Sequence, residues 1–151
     1  MPLAPNRVIV PRMIHHPPPN SAQRATSRLD SFRHAFAGWW YMLRTQHNAW
    51  IHSIASITVF ALSLWLGLSR MEWAMIFLAV GQVWMAEFVN TALEAVVDLA
   101  APDLHPLAKV GKDVAAAAVL VGALTAVVVG SLILGPPLWV KVVTLLRGAG
   151  L

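Results

Sequence analysis

The sequence predicts an all-α integral membrane protein in which three transmembrane helices follow an amphipathic surface helix, and three observations carry that prediction. Of its 151 residues 58% are hydrophobic and 12% charged, a balance soluble domains do not show. Three apolar runs, Trp50 to Leu68, Trp73 to about Val97 and Val114 to Leu138, each approach or exceed the ~20 residues that cross ~30 Å of hydrocarbon. Ahead of them, the segment from Arg28 to Gln46 mixes basic residues with Phe32, Phe36, Trp39, Trp40 and Leu43 at mostly helical spacing.

Taken in order, residues 1–27 hold most of the prolines, including Pro17, Pro18 and Pro19, and read as a disordered, Pro-rich cytoplasmic tail. Those prolines interrupt every candidate apolar core, so a signal peptide is not expected. The surface helix is placed at 28–47, with Asp30 or Ser31 as candidate caps, and its adjacent indoles suit headgroup depth. The spans follow at about 50–68, 73–97 and 114–138, within a membrane domain of 28–138. Pro136 and Pro137 then predict a stop, leaving 139–151 as a short tail.

Basic residues orient the chain. Six precede the first span, Arg70 alone occupies the first loop, Lys109 and Lys112 lie in the second, and Lys141 and Arg147 follow the third. The positive-inside rule therefore places the N-terminus and the second loop in the cytoplasm. The net charge of +4 is topological, because no basic stripe with interleaved aromatics suggests nucleic acid. Without cysteine there is no thiolate nucleophile and no sulfur-ligated metal. Both loops are too short for a soluble catalytic domain, so any chemistry belongs at the membrane surface.

The second span carries that chemistry. In AEFVNTALEAVVD, Glu87, Asn90, Glu94 and Asp98 fall within an arc of roughly 80° over ~16 Å of one helix face. An ionised group at a span centre costs ~2.5–3.5 kcal/mol to insert, which marks such a stripe as functional. A single buried carboxylate could be a protonated structural group; four aligned polar residues are a site. Beyond the loop, Lys109, Lys112 and Asp113 share a helix face if a helix starts near Pro106, a favoured first-turn residue, and His105 reads as a loop residue. Carboxylates and an amide are hard oxygen ligands suited to Mg²⁺, and lysines suit phosphates, so the combination looks like a metal–nucleotide site. No Gly-rich phosphate loop accompanies it. Spacing alone does not separate a kinase from a transporter.

The stretches AEFVNTALEAVVD and HPLAKVGKDVAAAAVL strongly resemble the prokaryotic diacylglycerol kinase family, which includes undecaprenol kinases, over about Ser31 to Leu134. The resemblance implies a homotrimer with active sites shared between subunits, in the inner (plasma) membrane of a bacterium. It implies an enzyme that moves the γ-phosphoryl group of Mg²⁺-bound ATP to a lipid hydroxyl at the cytoplasmic interface. By the same resemblance Glu87 is the catalytic base, Asn90 the amide beside it and Glu94 a metal ligand. Lys112 and Asp113 contact nucleotide, and Asp98 has a structural or nucleotide-side role; Lys109, which shares their helix face by spacing, is a further candidate for phosphate. Trp39 and Trp40 wall the lipid acceptor. Where the family carries a metal-binding glutamate in the surface helix, this chain has Gln46, which contributes an amide oxygen without charge. The stretch HPLAKVGKDVAA is more similar to the undecaprenol branch than to the diacylglycerol branch.

Two other readings compete. Carboxylates on one face of a span also build proton relays and transport paths, but here they gather in one half of the span while Trp73 to Val80 is apolar. An inactive structural homologue is the other, with Gln46 as its one hint.

Overall fold

A computed structural model of the chain describes residues 21–101 and 105–149. Four α-helices follow in order: α1 (Ser21–Thr45), α2 (His47–Leu66), α3 (Arg70–Ala100) and α4 (Pro106–Gly148), with no strand among the described residues. The last three are long and apolar enough to cross a membrane.

The chain divides into two units after Phe36. In the first, the described part of α1 exposes Leu29, Phe32 and Phe36 at helical spacing, an apolar stripe among basic residues. The helix starts at Ser21, seven residues ahead of the expected Arg28, because the last proline of the tail is Pro19 and Ser-Ala-Gln-Arg-Ala-Thr offers nothing to stop a helix. Asp30 and Ser31 therefore lie inside α1 and not at its start. The Pro-rich stretch 1–20 falls outside the described residues.

The second unit holds the rest of α1 and the three long helices. A break at Gln46 separates α1 from α2: its backbone is extended (φ −101°, ψ 117°), while its N–H donates to the Met42 carbonyl at 2.9 Å. Inside α2 the hydroxyls of Ser53, Ser56, Thr58 and Ser63 each donate to the carbonyl four residues earlier, at 2.7–2.9 Å. Such back-bonding lets a hydroxyl sit in hydrocarbon without an orphan donor. Gly67 ends α2 in the left-handed region (φ 73°), where a Cβ would be strained, and its N–H reaches the Ser63 and Leu64 carbonyls. Two residues later Ser69 and Glu72 form a reciprocal capping box that starts α3.

α3 and α4 pack most extensively, burying Ile76, Ala79 and Val83 of one and Ala115, Val119 and Leu134 of the other. The small residues at 115–118 and Gly122 make this approach possible. A Cβ on Gly122 would meet the Val83 Cα at 3.9 Å, and the Gln82 side chain donates to the Gly122 carbonyl at 3.3 Å. Outward positions such as Ile57, Leu78, Val121 and Leu132 stay exposed, as lipid or another helix requires.

At 43 residues α4 is ~65 Å long, more than twice the hydrocarbon thickness, so its ends must project beyond it. The expected stop at Pro136 and Pro137 does not occur: the helix runs through both to Gly148, and no separate tail begins at 139. The two prolines remove the donors to the Leu132 and Ile133 carbonyls but keep a helical φ. Gly135, lacking a Cβ, relieves part of the clash that drives a residue before proline out of the helix. Beyond the prolines, the Lys141 amine donates to the Trp65 carbonyl at 2.7 Å and lies 4.8 Å from that indole's centre, tying the extension to the end of α2.

Candidate active site

The polar stripe of α3 changes environment along its length. Glu87 is 1% exposed and Asn90 6%, Glu94 is half-buried and Asp98 is exposed, so the helix face emerges from the bundle toward its C-terminal end. Glu87, Asn90 and Glu94 line a cavity of about 300 Å³ with Asn48 and His52 of α2, against an apolar wall from α4. The close packing of α3 on the alanine-rich face of α4 supplies that wall, and the stripe's 3.6-residue period aims all three polar groups at one space.

Within the cavity the Asn90 amide nitrogen donates to Glu94 Oε1 at 3.0 Å. This leaves Asn90 Oδ1 without a hydrogen-bond partner among the described residues, and Glu87 Oε2 and Thr91 Oγ1 are orphaned in the same way. Buried polar atoms of that kind are uncommon and point to a missing ligand or a chemical role. His52 Nε2 stands 4.0 Å from Glu87 Oε2, too far for a hydrogen bond but close enough for charge coupling.

Past the cavity, Lys112 of α4 reaches across to Asp98 of α3, Nζ to Oδ1 at 2.5 Å. Lys112 precedes the apolar run of α4, and its hydrogen bond to Asp98 raises its pKa, keeping the ammonium charged. Lys109 bonds instead to Asp113 at 2.5 Å, one turn along α4. The basic cluster is thus two ion pairs, one joining helices and one local. His105 caps α4, its Nδ1 accepting from the Leu107 N–H at 3.2 Å, and Pro106 takes the first turn.

The two indoles of α1 part company. Trp39 stacks on Trp84 at 5.3 Å between ring centres and meets the Phe88 edge at 5.0 Å, packing the last turns of α1 onto the segment of α3 that carries Glu87. Trp84 in turn donates from Nε1 to Ser56 Oγ at 3.0 Å. Trp40 is exposed, with Arg44 4.5 Å over its ring. Gln46 sits at the α1–α2 break, its side chain makes no cap bond, and it is absent from the cavity lining, which begins two residues later at Asn48.

The donor set suits an open Mg²⁺ site. No group of three or more His, Asp or Glu side chains forms a metal cage among the described residues. Mg²⁺ commonly takes one or two carboxylates and completes its shell with phosphate oxygens and water, which Glu94 and the orphaned Asn90 oxygen could accommodate.

Sequence reasoning missed His52, Asn48 and the Trp84–Phe88 pair. His52 had a usable signal, since a titratable residue inside an apolar run is a functional candidate by default. The aromatic pair had none, because any aromatic in a span reads as packing or lipid contact.

The second cavity, about 630 Å³, is an apolar groove among α2, α3 and α4 that shares Ile51, His52 and Ala123 with the polar one. Among the described residues that line it, the polar side chains are those of His52, Ser56 and Ser131.

Fold and cavity define a small three-span membrane protein with a carboxylate–amide site built into its helix bundle. The chain belongs to the prokaryotic diacylglycerol kinase family, whose sequence profile matches residues 33–134. It is 43% identical over 108 residues to the undecaprenol kinase of Bacillus subtilis (strain 168), covering 72% of this chain and 88% of that one. It is 43% identical over 120 residues to a diacylglycerol kinase of Synechocystis sp., covering 79% and 69% respectively. A diacylglycerol kinase of Helicobacter pylori matches at 31% over 98 residues, 60% of this chain and 77% of that one.

Proposed function

We propose that this chain is an ATP-dependent lipid kinase that transfers the γ-phosphoryl group to the hydroxyl of undecaprenol or diacylglycerol at the cytoplasmic face of a bacterial inner membrane. Family membership supports phosphoryl transfer to a lipid. The observation that carries the site is the buried carboxylate oxygen of Glu87, without a hydrogen-bond partner among the described residues, in a cavity shared with Asn90 and Glu94.

In this reading Glu87 accepts the proton of the lipid hydroxyl as that oxygen attacks the γ-phosphorus. Burial keeps water from competing for the carboxylate. Asn90 orients Glu94 through its amide nitrogen. Glu94, beside the Asn90 amide oxygen and with Gln46 as a further amide donor from the α1–α2 break, would hold Mg²⁺, whose charge would offset that of the phosphates. Lys112, held by Asp98, presents its ammonium to phosphate, while Lys109 and Asp113 border the nucleotide. Trp39, fixed on Trp84 and Phe88, forms a rigid wall for the lipid acceptor beside Glu87, and Trp40 stands at headgroup depth. The chain acts as a homotrimer with its N-terminus in the cytoplasm, the orientation its basic residues favour.

A transport path is not favoured, because the groove beyond His52 is apolar and offers no continuing line of ionisable groups. The test is phosphate transfer from radiolabelled ATP to undecaprenol and, separately, to diacylglycerol, with Glu87→Gln as the blank. Product that the blank lacks supports the kinase and names its acceptor.

A further inference from the structure

The imidazole of His52 is set apart from an ordinary packed histidine by what it does not touch. No hydrogen bond to either ring nitrogen is found among the described residues; its neighbours are the Glu87 carboxylate, 4.0 Å from Nε2, and the Trp84 ring, 6.4 Å away between centres and steeply inclined. A histidine buried for structure alone normally uses at least one nitrogen on a backbone or side-chain partner. Among the described residues neither nitrogen is engaged, and one faces a carboxylate oxygen that also lacks a partner among them. His52 is 16% exposed where Glu87 is 1%, and both line the cavity whose outer members, Asn48 and Glu94, are exposed and half-buried.

A base this enclosed has a difficulty after the chemical step: the proton it has taken must leave before the next turnover. Resting on the reading of Glu87 as the base, we infer that His52 is the exit for that proton. It is a positioning residue for the reset of Glu87 and does not touch the lipid. The hydroxyl proton passes to the Glu87 carboxylate as the O–P bond forms and ADP leaves. It then moves from Glu87 to Nε2 of the neutral imidazole, the Nδ1 proton departs to solvent at the mouth of the cavity, and exchange with water returns the ring to its Nδ1–H tautomer before the next turnover. The net products are phosphorylated lipid, ADP and one released proton, with Glu87 again an anion. The 4.0 Å separation needs a small side-chain rotation, consistent with catalytic contacts that tighten only in the substrate complex. Relay chemistry is within the ordinary repertoire of histidine.

Other titratable groups facing this imidazole are few. α3 presents Glu87 and, across the cavity, Glu94; α2 contributes neutral Asn48; the α4 wall of Ala116, Val119, Leu120 and Ala123 is uncharged. If the relay operates, turnover of the unaltered chain is expected to fall at low pH through two protonations instead of one.

The experiment measures kcat, KM and the pH profile of the full chain in bilayers for His52→Gln and His52→Ala, with helical circular dichroism matched to the unaltered protein. The expected result is a kcat lowered roughly tenfold or more with both KM values retained, and an acid limb that follows one protonation. Added imidazole should restore His52→Ala but not Glu87→Gln. A kcat unchanged in both His52 variants overturns the inference, as does a loss that imidazole does not relieve and that keeps the original pH profile. If the unaltered chain is inert on both lipids, the kinase reading falls first and this inference with it.

Discussion

Lys112 and Asp98 meet Nζ to Oδ1 at 2.5 Å, forming an ion pair between α4 and α3 one turn beyond Glu94 and the polar cavity. The pair is solvent-exposed, so its contribution to stability is small. Under the proposed function its value is geometric: it would hold an ammonium near the path of a phosphate entering or leaving the cavity.

Replacing Lys112 with Met should therefore raise the KM for ATP by roughly tenfold, the effect of losing one charge-assisted phosphate contact. The KM for lipid should stay unchanged. Asp98→Asn should raise the ATP value less, since it removes the amine's orientation and not its charge. ATP-saturation kinetics at fixed lipid check both.

Glu87→Gln preserves shape and removes the proposed base, and transfer should fall by about 10²–10⁴-fold. Insertion and thermal stability should be retained, because the substitution deletes a buried charge whose Oε2 has no hydrogen-bond partner among the described residues. Turnover assays beside thermal unfolding in detergent separate the two effects. Normal turnover would remove Glu87 from the base role.

Gln46→Glu adds a negative charge at the α1–α2 break, two residues before the cavity lining begins. Half-maximal activity should then need several-fold less Mg²⁺, roughly the gain expected from one further carboxylate near an open site. Mg²⁺ titration of activity tests it. A clear loss would show that this chain binds its metal differently.

Trp39→Ala removes a stacked contact with Trp84 and an edge contact with Phe88. At ~0.5–1.5 kcal/mol per aromatic pair, the variant should lose about 1–3 kcal/mol and release the end of α1 from α3. Trp40→Ala, whose ring contact is with Arg44, should lose less. Thermal unfolding of the two variants, with lipid KM measured for each, distinguishes the indoles that sequence could not.

Much of this protein was legible in the sequence because membrane insertion imposes simple rules. Apolar run length announces a span, and a polar stripe at helical period within one announces a site. Glu87, Asn90 and Glu94 needed only that periodicity to be placed on one face. The ends of the helices were less legible: prolines at 136 and 137 signalled a stop, yet Gly135 and the Lys141–Trp65 contact carry α4 onward.

The sequence by itself determined three spans, their apolar outward faces and the acidic stripe, since each depends on residue type and local spacing along one helix. Only the tertiary structure decided what faces that stripe. It brought His52, thirty-five positions earlier, within 4.0 Å of Glu87, chose Trp39 over Trp40 to lie against α3, and paired Lys112 with Asp98 while Lys109 took Asp113. Those choices follow from how three helices pack, which rotates each helix about its own axis by an amount that no local pattern records.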